Sequence, residues 1–123
     1  MNRRDKGAIG ENIAADYLAK RGYKIRERNY RTREGEIDII AEKDGTLVFT
    51  EVRTKTSKQF GTAEESITER KKKRLIALAE AYLSDCEEQP DFCRIDLIAI
   101  ELGAKGELIR LNLIENATGW TTT

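Results

Sequence analysis

The stretch GEIDIIAEKDGTLVFTEVRTK, residues 35–55, consists of two runs rich in β-branched and apolar residues, separated by Asp44-Gly45. Asp-Gly between two such runs is a strong signal for a two-residue type I′ turn, so the stretch predicts a β-hairpin. A loop of those two residues alone also fixes which residues of the two strands oppose each other. The pairs on one face, from the turn outward, are then Ile40 with Phe49, Asp38 with Glu51, and Glu36 with Arg53.

Two acids therefore face each other inside the predicted hairpin. Carboxylates lower β-propensity, and Cβ atoms of opposed residues are about 4.5–5.5 Å apart, so the charges of Asp38 and Glu51 would repel. A divalent cation that takes an oxygen from each carboxylate would remove the conflict, and Mg²⁺ is held by one or two carboxylates in this way. The alternatives are a solvent-exposed face, against which Ile40 and Phe49 argue, and a one-residue bulge that breaks the pairing.

The rest of the chain predicts a single α/β domain. Apolar stripes of helical spacing predict helices over 5–21, closed by Gly22, and from a Ser66/Glu69 capping box to about Leu83. Strands are predicted over residues 23–31, 35–42, 46–54, 92–101 and 107–114. The order α-β-β-β-α-β-β indicates a mixed β-sheet flanked by helices in two or three layers. The domain would span residues 1–116, and the polar tail 117–123 is expected to be loose.

The composition excludes several classes of protein. The 123 residues suit one domain with one core, and no run approaches the roughly 18 apolar residues of a membrane span. The N-terminal stretch lacks the apolar region of a signal peptide, so we expect a cytoplasmic protein that does not contact membranes. The chain contains no histidine, which excludes Ser-His-Asp and Cys-His mechanisms. Any catalysis would therefore depend on carboxylates, lysines and a bound metal.

The charge is distributed unevenly along the chain. The net charge is zero, but residues 1–74 hold 19 Lys/Arg against 13 Asp/Glu, whereas residues 75–123 hold 3 against 9. Such asymmetry is typical of a basic face that binds a polyanion, and equally of two solvated surfaces of opposite sign.

Three further charged residues lie at boundaries of the predicted core. Glu11 is at the edge of the first helix's apolar stripe, either as a boundary residue or as a carboxylate directed at the metal. Asp96 interrupts the apolar run RIDLIAI, and pairing with Arg94 is its favoured role. Lys71 lies one turn before the core-facing residues of the second helix, so it is either a cation directed at the sheet or a simple boundary residue.

Four segments in order, GENIAADYL, GEIDIIA, VFTEVRTK and SITERKKKRL, resemble the small bacterial YraN-like proteins. That family resembles a branch of the PD-(D/E)xK nuclease superfamily related to archaeal Holliday-junction resolvases. The similarity extends from Gly10 to about Asn116. It implies a restriction-endonuclease-like core in which Asp38 and Glu51 bind Mg²⁺ or Mn²⁺, with Glu11 as the additional helical acid of resolvase-like members.

One position departs from the signature of that superfamily. Arg53 stands where the superfamily has a lysine that orients or deprotonates the attacking water. Arginine stays protonated and cannot act as a general base, but it can stabilise negative charge on a phosphate or donate hydrogen bonds to a water. Lys71 is the candidate for part of the missing lysine's role.

These observations together predict a metal-dependent DNA endonuclease that acts on branched or structured DNA. The resemblance also suggests a homodimer, because resolvase-like proteins make paired cuts. The alternatives are a non-catalytic nucleic-acid-binding or scaffold protein that retains the nuclease fold, and RNA in place of DNA. Contacts to phosphates are predicted for two basic segments, with side chains Lys24, Arg26, Arg28, Arg31, Arg33, Arg70, Lys72, Lys73 and Arg74.

Overall fold

A computed structural model describes residues 2–56 and 61–122. Its elements are α1 (Arg3–Lys20), β1 (Lys24–Thr32), β2 (Gly35–Lys43), β3 (Thr46–Thr56), a 3₁₀ turn (Glu64–Ser66), α2 (Glu69–Ser84), β4 (Phe92–Leu102), β5 (Leu108–Ile114) and β6 (Thr121–Thr122). The predicted order of two helices and five strands is observed, with the short β6 added. Within the described ranges, neither helix has the length and apolar content needed to cross a membrane.

The strands form one mixed sheet in the order β1-β2-β3-β4-β5. Strand β3 pairs in parallel with β4 along its whole length, and the other neighbours are antiparallel. Two parallel strands need a long crossover between them, and α2 forms part of that connection. Strand β6 pairs with the start of β4, and β5 pairs with its later part.

The two helices cover opposite faces of the sheet, because successive strand residues point to alternate sides. Helix α1 packs through Ala14 and Leu18, and α2 packs through Leu75, Leu78 and Ala79. The strand residues beneath α1 are Ile39, Ala41, Val52, Ile98, Ile100 and Leu102, and those beneath α2 are Ile37, Ile40, Leu47, Phe49, Cys93 and Ile95. The molecule therefore has three layers with apolar packing on both sides of the sheet.

Local signals explain where the helices begin and end. The Asn2 side chain accepts a hydrogen bond of 2.8 Å from the Asp5 N–H at the start of α1. At its end, Gly22 adopts φ +91°, and the N–H of Tyr23 reaches back to the Leu18 carbonyl at 3.0 Å. This is the closure that glycine after a helix predicts.

The predicted start of α2 is wrong by one short turn. Ser66 does not cap the helix, because it ends the preceding 3₁₀ turn, where its Oγ donates to the Ala63 carbonyl at 2.6 Å. Thr68 is the N-cap instead, and its hydroxyl oxygen accepts from the Lys71 N–H at 3.1 Å.

The hairpin has the predicted register near its turn but not along its whole length. Pairing runs from Lys43–Thr46 to Ile39–Thr50 and stops there, so Asp38 is not a ladder partner of Glu51, nor is Glu36 of Arg53. The cause lies at Asp38, whose Oδ2 accepts a hydrogen bond of 2.8 Å from the Val52 N–H. The Asp38 side chain thus accepts from the Val52 N–H, which would otherwise donate to a backbone carbonyl of β2 if the ladder continued. Alternation also breaks there, because Ile37 packs in the same cluster as Ile40.

The tail that was expected to be loose is attached to the sheet over residues 117–122. The Ala117 N–H donates to the Ile95 carbonyl at 2.8 Å, and β6 pairs with β4. The Trp120 ring meets Phe49 edge-on, with centroids 6.3 Å apart. Polar composition failed as a guide here because one aromatic residue and the backbone of β4 supply the attachment. Thr123 lies outside the described residues.

Candidate active site

Asp38 and Glu51 form a carboxyl pair at the point where β2 and β3 separate. Their side chains are hydrogen-bonded to each other, and the Glu51 side chain is only 13% exposed. Burial, followed by the negative charge of Glu51, raises the pKa of Asp38 to about 9. Burial also raises the pKa of Glu51, although the hydrogen bond from Asp38 opposes that shift. The pair therefore retains a proton near neutral pH, so the two acids lie together as predicted without forming a ladder pair.

Glu11 and Glu36 extend this pair into a cluster. One carboxylate oxygen from each of Glu11, Glu36 and Asp38 lies within 4.8 Å of the others. Asn29, which adopts φ +55° in β1, donates from Nδ2 to Glu11 Oε1 at 2.7 Å and to Glu36 Oε1 at 2.9 Å. Burial tends to raise the pKa of Glu36, but the hydrogen bonds from Asn29 and Arg31 outweigh it and lower that pKa. The cluster therefore joins α1, β1 and β2.

Gly10 allows α1 to bring Glu11 to the sheet. A Cβ at Gly10 would overlap the Oγ1 of Thr54 in β3 and would lie 2.9 Å from the Thr54 Cβ. Only a residue without a side chain permits this approach of helix to strand. Glu11 follows directly in the chain, so the close contact at Gly10 fixes where its carboxylate can reach.

Arg53 is held beside the pair by two different elements. Its Nη1 donates to Glu51 Oε2 at 3.2 Å, and its Nε donates to Ser66 Oγ at 2.9 Å. The side chain is 25% exposed. A guanidinium held in this way is oriented within the site and keeps part of its surface accessible to a ligand.

The 3₁₀ turn that carries Ser66 is itself tied to the far edge of the sheet. Arg110 in β5 donates from Nη1 and Nη2 to the two carboxylate oxygens of Glu64, at 2.8 Å each, and Asn112 Nδ2 donates to the same group at 2.9 Å. The hydrogen bonds from Arg110 lower the pKa of Glu64 to about 2. The turn therefore rests on β5 through a bidentate ion pair.

Lys71, near the start of α2, is close enough to the Asp38–Glu51 pair for its charge to act on Glu51. Burial, followed by the positive charge of Arg53, lowers the pKa of Lys71. The charge of Lys71 in turn opposes the rise that burial causes in the pKa of Glu51. Lys71 lines a cavity of about 570 Å³ together with Glu11, Arg53 and Lys55. The structure thus brings together all five residues that were predicted as catalytic.

Few of the predicted phosphate contacts lie at this site. Arg28 and Arg31 line a second cavity of about 410 Å³ that includes Glu11 and Glu36. By contrast, Lys24 and Arg26 pair with Glu42, at 3.9 and 3.6 Å. Lys72 pairs with Glu69 at 3.2 Å. The remaining four, Arg33, Arg70, Lys73 and Arg74, are exposed to solvent and line neither cavity.

The sequence analysis missed several residues of the site. Glu36 lies two residues before Asp38 but was not counted among the acids of the metal site. Lys55 follows Arg53 by two residues, as Arg53 follows Glu51. These two could have been found from strand periodicity. Asn29 and Ser66 carried no such signal, because their roles depend on a left-handed backbone and on a turn.

Asp96 has the structural role that was favoured for it. Its buried carboxylate accepts from Arg94 Nε at 3.0 Å and from the Asn116 N–H at 2.9 Å. Burial raises its pKa, while these hydrogen bonds act in the opposite direction. Asp96 therefore links β4 to the segment that leads into the tail.

Comparison with known proteins relates the chain to proteins of similar length. The model of the uncharacterised protein family UPF0102 matches residues 10–100. A UPF0102 protein of Symbiobacterium thermophilum is 45% identical over 117 residues, covering 95% of this chain and 98% of its own. One from Chlorobaculum parvum is 48% identical over 101 residues, covering 82% and 78%. The match includes the helix of Glu11, the hairpin of Asp38 and Glu51, and α2, so the chain belongs to the uncharacterised protein family UPF0102.

Proposed function

We propose that this protein is a metal-dependent DNA endonuclease that hydrolyses phosphodiester bonds in branched or structured DNA. We further propose that its sheet and helices are a restriction-endonuclease-like core of the PD-(D/E)xK superfamily. The observation that carries the proposal is the half-buried Asp38–Glu51 carboxyl pair with Arg53 and Lys71 beside it. Perturbed acids next to cations in a cleft are typical of catalytic sites.

The donor set fits Mg²⁺ or Mn²⁺. Asp38 and Glu51 offer hard oxygen ligands, and the proton that they share marks a place where a cation would relieve their repulsion. Glu11 would be a third ligand, and Glu36 lies close enough to join it. When bound, such an ion polarises a phosphate oxygen and makes hydroxide available near neutral pH.

The cations of the site would act on the substrate. Arg53, oriented by Ser66 and Glu51, would donate to a phosphate oxygen as negative charge develops on it. Lys71 would provide a second positive charge from α2. Neither role requires Arg53 to lose a proton, so the departure from lysine is compatible with the chemistry.

The second candidate function is non-catalytic nucleic-acid binding by a protein that keeps this fold. The observation in its favour is Arg53 itself, because no lysine occupies the place of the water-orienting residue. This candidate predicts DNA or RNA binding that does not depend on divalent metal and that persists when Asp38 is replaced.

The deciding experiment is a cleavage assay on labelled junction, flap, nicked, single-stranded and duplex DNA and on a structured RNA, with Mg²⁺ or Mn²⁺. The variants are Asp38→Ala and, as a matched control, Asp16→Ala, which removes an exposed carboxylate of α1 that pairs with Lys20. We expect one class of structured DNA to be cut by wild type and by the control but not by Asp38→Ala. Binding without cleavage, unchanged in Asp38→Ala, would support the second candidate instead.

The proposal includes a homodimer, because paired cuts at a junction need two active sites. Light scattering of the protein alone and with a junction tests this point. We expect two copies per junction, and a single copy on every substrate would contradict paired cutting.

A further inference from the structure

Two cationic cavities flank the carboxylate cluster. The larger, of about 570 Å³, has five cationic side chains among its lining residues: Arg3, Lys6, Arg53, Lys55 and Lys71. The smaller, of about 410 Å³, has four: Arg3, Arg4, Arg28 and Arg31. Both are bounded by Glu11 and Gly7, so the first turns of α1 form the wall between them.

The cavities differ from the rest of this neutral chain in their charge. Among the described residues, Glu11 is the one acid that lines the larger cavity, and Glu11 and Glu36 are the two that line the smaller. Positive side chains held around a concave space repel each other, and an anion in that space relieves the repulsion. Each cavity is therefore suited to a phosphate group.

The lining residues also indicate that the bases of a nucleic acid are not recognised in the two cavities. Within the described part of the chain, neither cavity is lined by an aromatic side chain on which a base could stack. Single-stranded nucleic acids that are bound through their bases usually meet such aromatic platforms. Contacts from Lys and Arg to phosphates fix the path of a strand without reading its sequence.

We propose that the two cavities bind phosphate groups of one continuous nucleic-acid strand on either side of the carboxylate cluster. The strand crosses the first turns of α1, and it is recognised by its backbone and not by its bases. This inference deepens the proposed function and rests on it in one respect, namely that the ligand is a nucleic acid. It assigns substrate contacts to Arg3, Arg4, Lys6 and Lys55, which the sequence did not indicate.

The first test changes the ligand and leaves the full-length protein as it is. Binding of a labelled 12-nucleotide strand is measured by fluorescence anisotropy in EDTA. We expect a strand with abasic linkers at all central positions to bind within about twofold of the normal strand, and neutral methylphosphonate linkages at the centre to weaken binding about tenfold or more. Loss of binding on the abasic strand would overturn the proposal, because the bases would then supply the affinity.

The phosphate groups could belong to the interior of a strand or to its end. Strands with a 5′-phosphate, a 3′-phosphate or hydroxyl ends separate these sources. Equal affinity within about twofold is the expected result for a continuous strand. A preference of tenfold or more for one terminal phosphate would overturn the continuous path.

The second test removes two charges from each cavity in turn. Lys6→Gln with Lys55→Gln changes the larger cavity, Arg4→Gln with Arg28→Gln changes the smaller, and exposed Lys20→Gln with Lys105→Gln is the matched control. We expect the affinity of each cavity variant to fall about fivefold to tenfold, with a salt slope that is shallower by about 0.7 for each phosphate that the variant no longer neutralises. Equal affinities of all three folded double variants would overturn the proposal.

Because EDTA prevents metal-dependent cleavage, the two proposals fail separately. Strand affinity that falls in the cavity variants, together with no cleavage under Mg²⁺ or Mn²⁺, would contradict the nuclease and support the strand path. Cleavage that is insensitive to both cavity variants would contradict the strand path and support the nuclease.

Discussion

Asp38 Oδ2 accepts a hydrogen bond of 2.8 Å from the N–H of Val52, which lies just beyond Thr50, the last residue of β3 that is paired in the hairpin. A carboxyl side chain thus stands where the ladder between two strands would otherwise continue. The same carboxyl is hydrogen-bonded to Glu51 and shares the acid cluster with Glu11. These half-buried acids lower the stability of the metal-free protein, as is common where function and stability conflict.

Replacing Asp38 with asparagine should stabilise the metal-free protein. The amide oxygen can still accept from Val52, and the amide nitrogen can donate to Glu51, while the penalty for a buried acid disappears. We expect the free energy of unfolding at pH 7.5 to rise by about 1–3 kcal/mol, as measured by urea denaturation in EDTA. Asp16→Asn on the exposed face of α1 is the control, with an expected change within about 0.5 kcal/mol. A clear loss of stability in Asp38→Asn would mean that the ionised carboxylate is a net stabilising group.

The stability of the metal-free protein should also depend on pH through Asp38. Its pKa is raised to about 9 in the folded protein, against about 3.9 for an ordinary unfolded Asp. Between these values the folded state holds the proton and the unfolded state does not, so stability declines as the pH rises from about 4 through 9. The slope for one proton is at most about 1.4 kcal/mol per pH unit. Denaturation series at several pH values should show this decline in wild type relative to Asp38→Asn, and parallel curves would contradict the shared proton.

Divalent metal should stabilise the wild-type protein selectively. A ligand that binds only the folded state adds about 2.7 kcal/mol at one hundred times its dissociation constant. We expect Mn²⁺ or Mg²⁺ to raise the melting temperature of wild type by several degrees in a thermal-shift assay, and to leave Asp38→Asn and Glu51→Gln nearly unchanged. Glu80→Gln, on the exposed part of α2, is the control and should respond like wild type. An equal response in all four proteins would indicate metal binding elsewhere.

The part of the fold that the sequence predicted is the part set by periodicity and turn chemistry. The Asp44-Gly45 turn fixed the hairpin register as far as Ile39 and Thr50, because each paired residue follows from its distance to the turn. The register failed at Asp38, where one hydrogen bond from side chain to backbone replaced the ladder. No periodic pattern predicts such a bond. The prediction that Asp38 and Glu51 lie together was therefore correct, but the ladder pairing on which it was based does not form.

The sequence likewise predicted only part of the candidate site. Acids on strands and at the edge of a helix's apolar stripe follow from spacing. Spacing left Glu11 as either a boundary residue or a metal ligand, and the family resemblance implied the second role. The residues that orient the site could not be predicted from spacing. Asn29 has a left-handed backbone conformation, and Ser66 belongs to a 3₁₀ turn outside any periodic element. The start of α2 was misplaced for the same reason, since two hydroxyl residues competed for the cap and only tertiary contacts decided between them.

Ser66→Ala should impair the proposed cleavage without unfolding the protein. The serine Oγ accepts from Arg53 Nε at 2.9 Å, so its removal leaves the guanidinium held by Glu51 and by the Ser66 carbonyl and gives it more freedom to move. We expect kcat to fall about fivefold, which corresponds to the roughly 1 kcal/mol of such a hydrogen bond, with strand affinity in EDTA nearly unchanged. The matched control is Ser84→Ala, because Ser84 Oγ also donates to the carbonyl three residues earlier, at 2.9 Å, at the exposed end of α2. Equal kcat in both variants would show that Arg53 does not need the Ser66 hydroxyl for its role.

Gly10→Ala should destabilise the protein although alanine is the better helix former. The added methyl group would overlap the Thr54 side chain, so α1 must move away from β3 or Thr54 must shift. We expect a loss of about 1–3 kcal/mol in the free energy of unfolding, together with weaker Mn²⁺ stabilisation because Glu11 moves with the helix.

Gly7 provides the control within the same helix, because a Cβ there would meet nothing within 4 Å. Gly7→Ala should therefore raise the free energy of unfolding by about 0.5–1 kcal/mol through helix propensity alone. Adding Thr54→Ala to Gly10→Ala removes the overlapping hydroxyl and should recover part of the loss. If Gly10→Ala stabilised the protein as much as Gly7→Ala, the close packing of α1 on β3 would not be what positions Glu11, and the helix would be free to present that carboxylate from a greater distance.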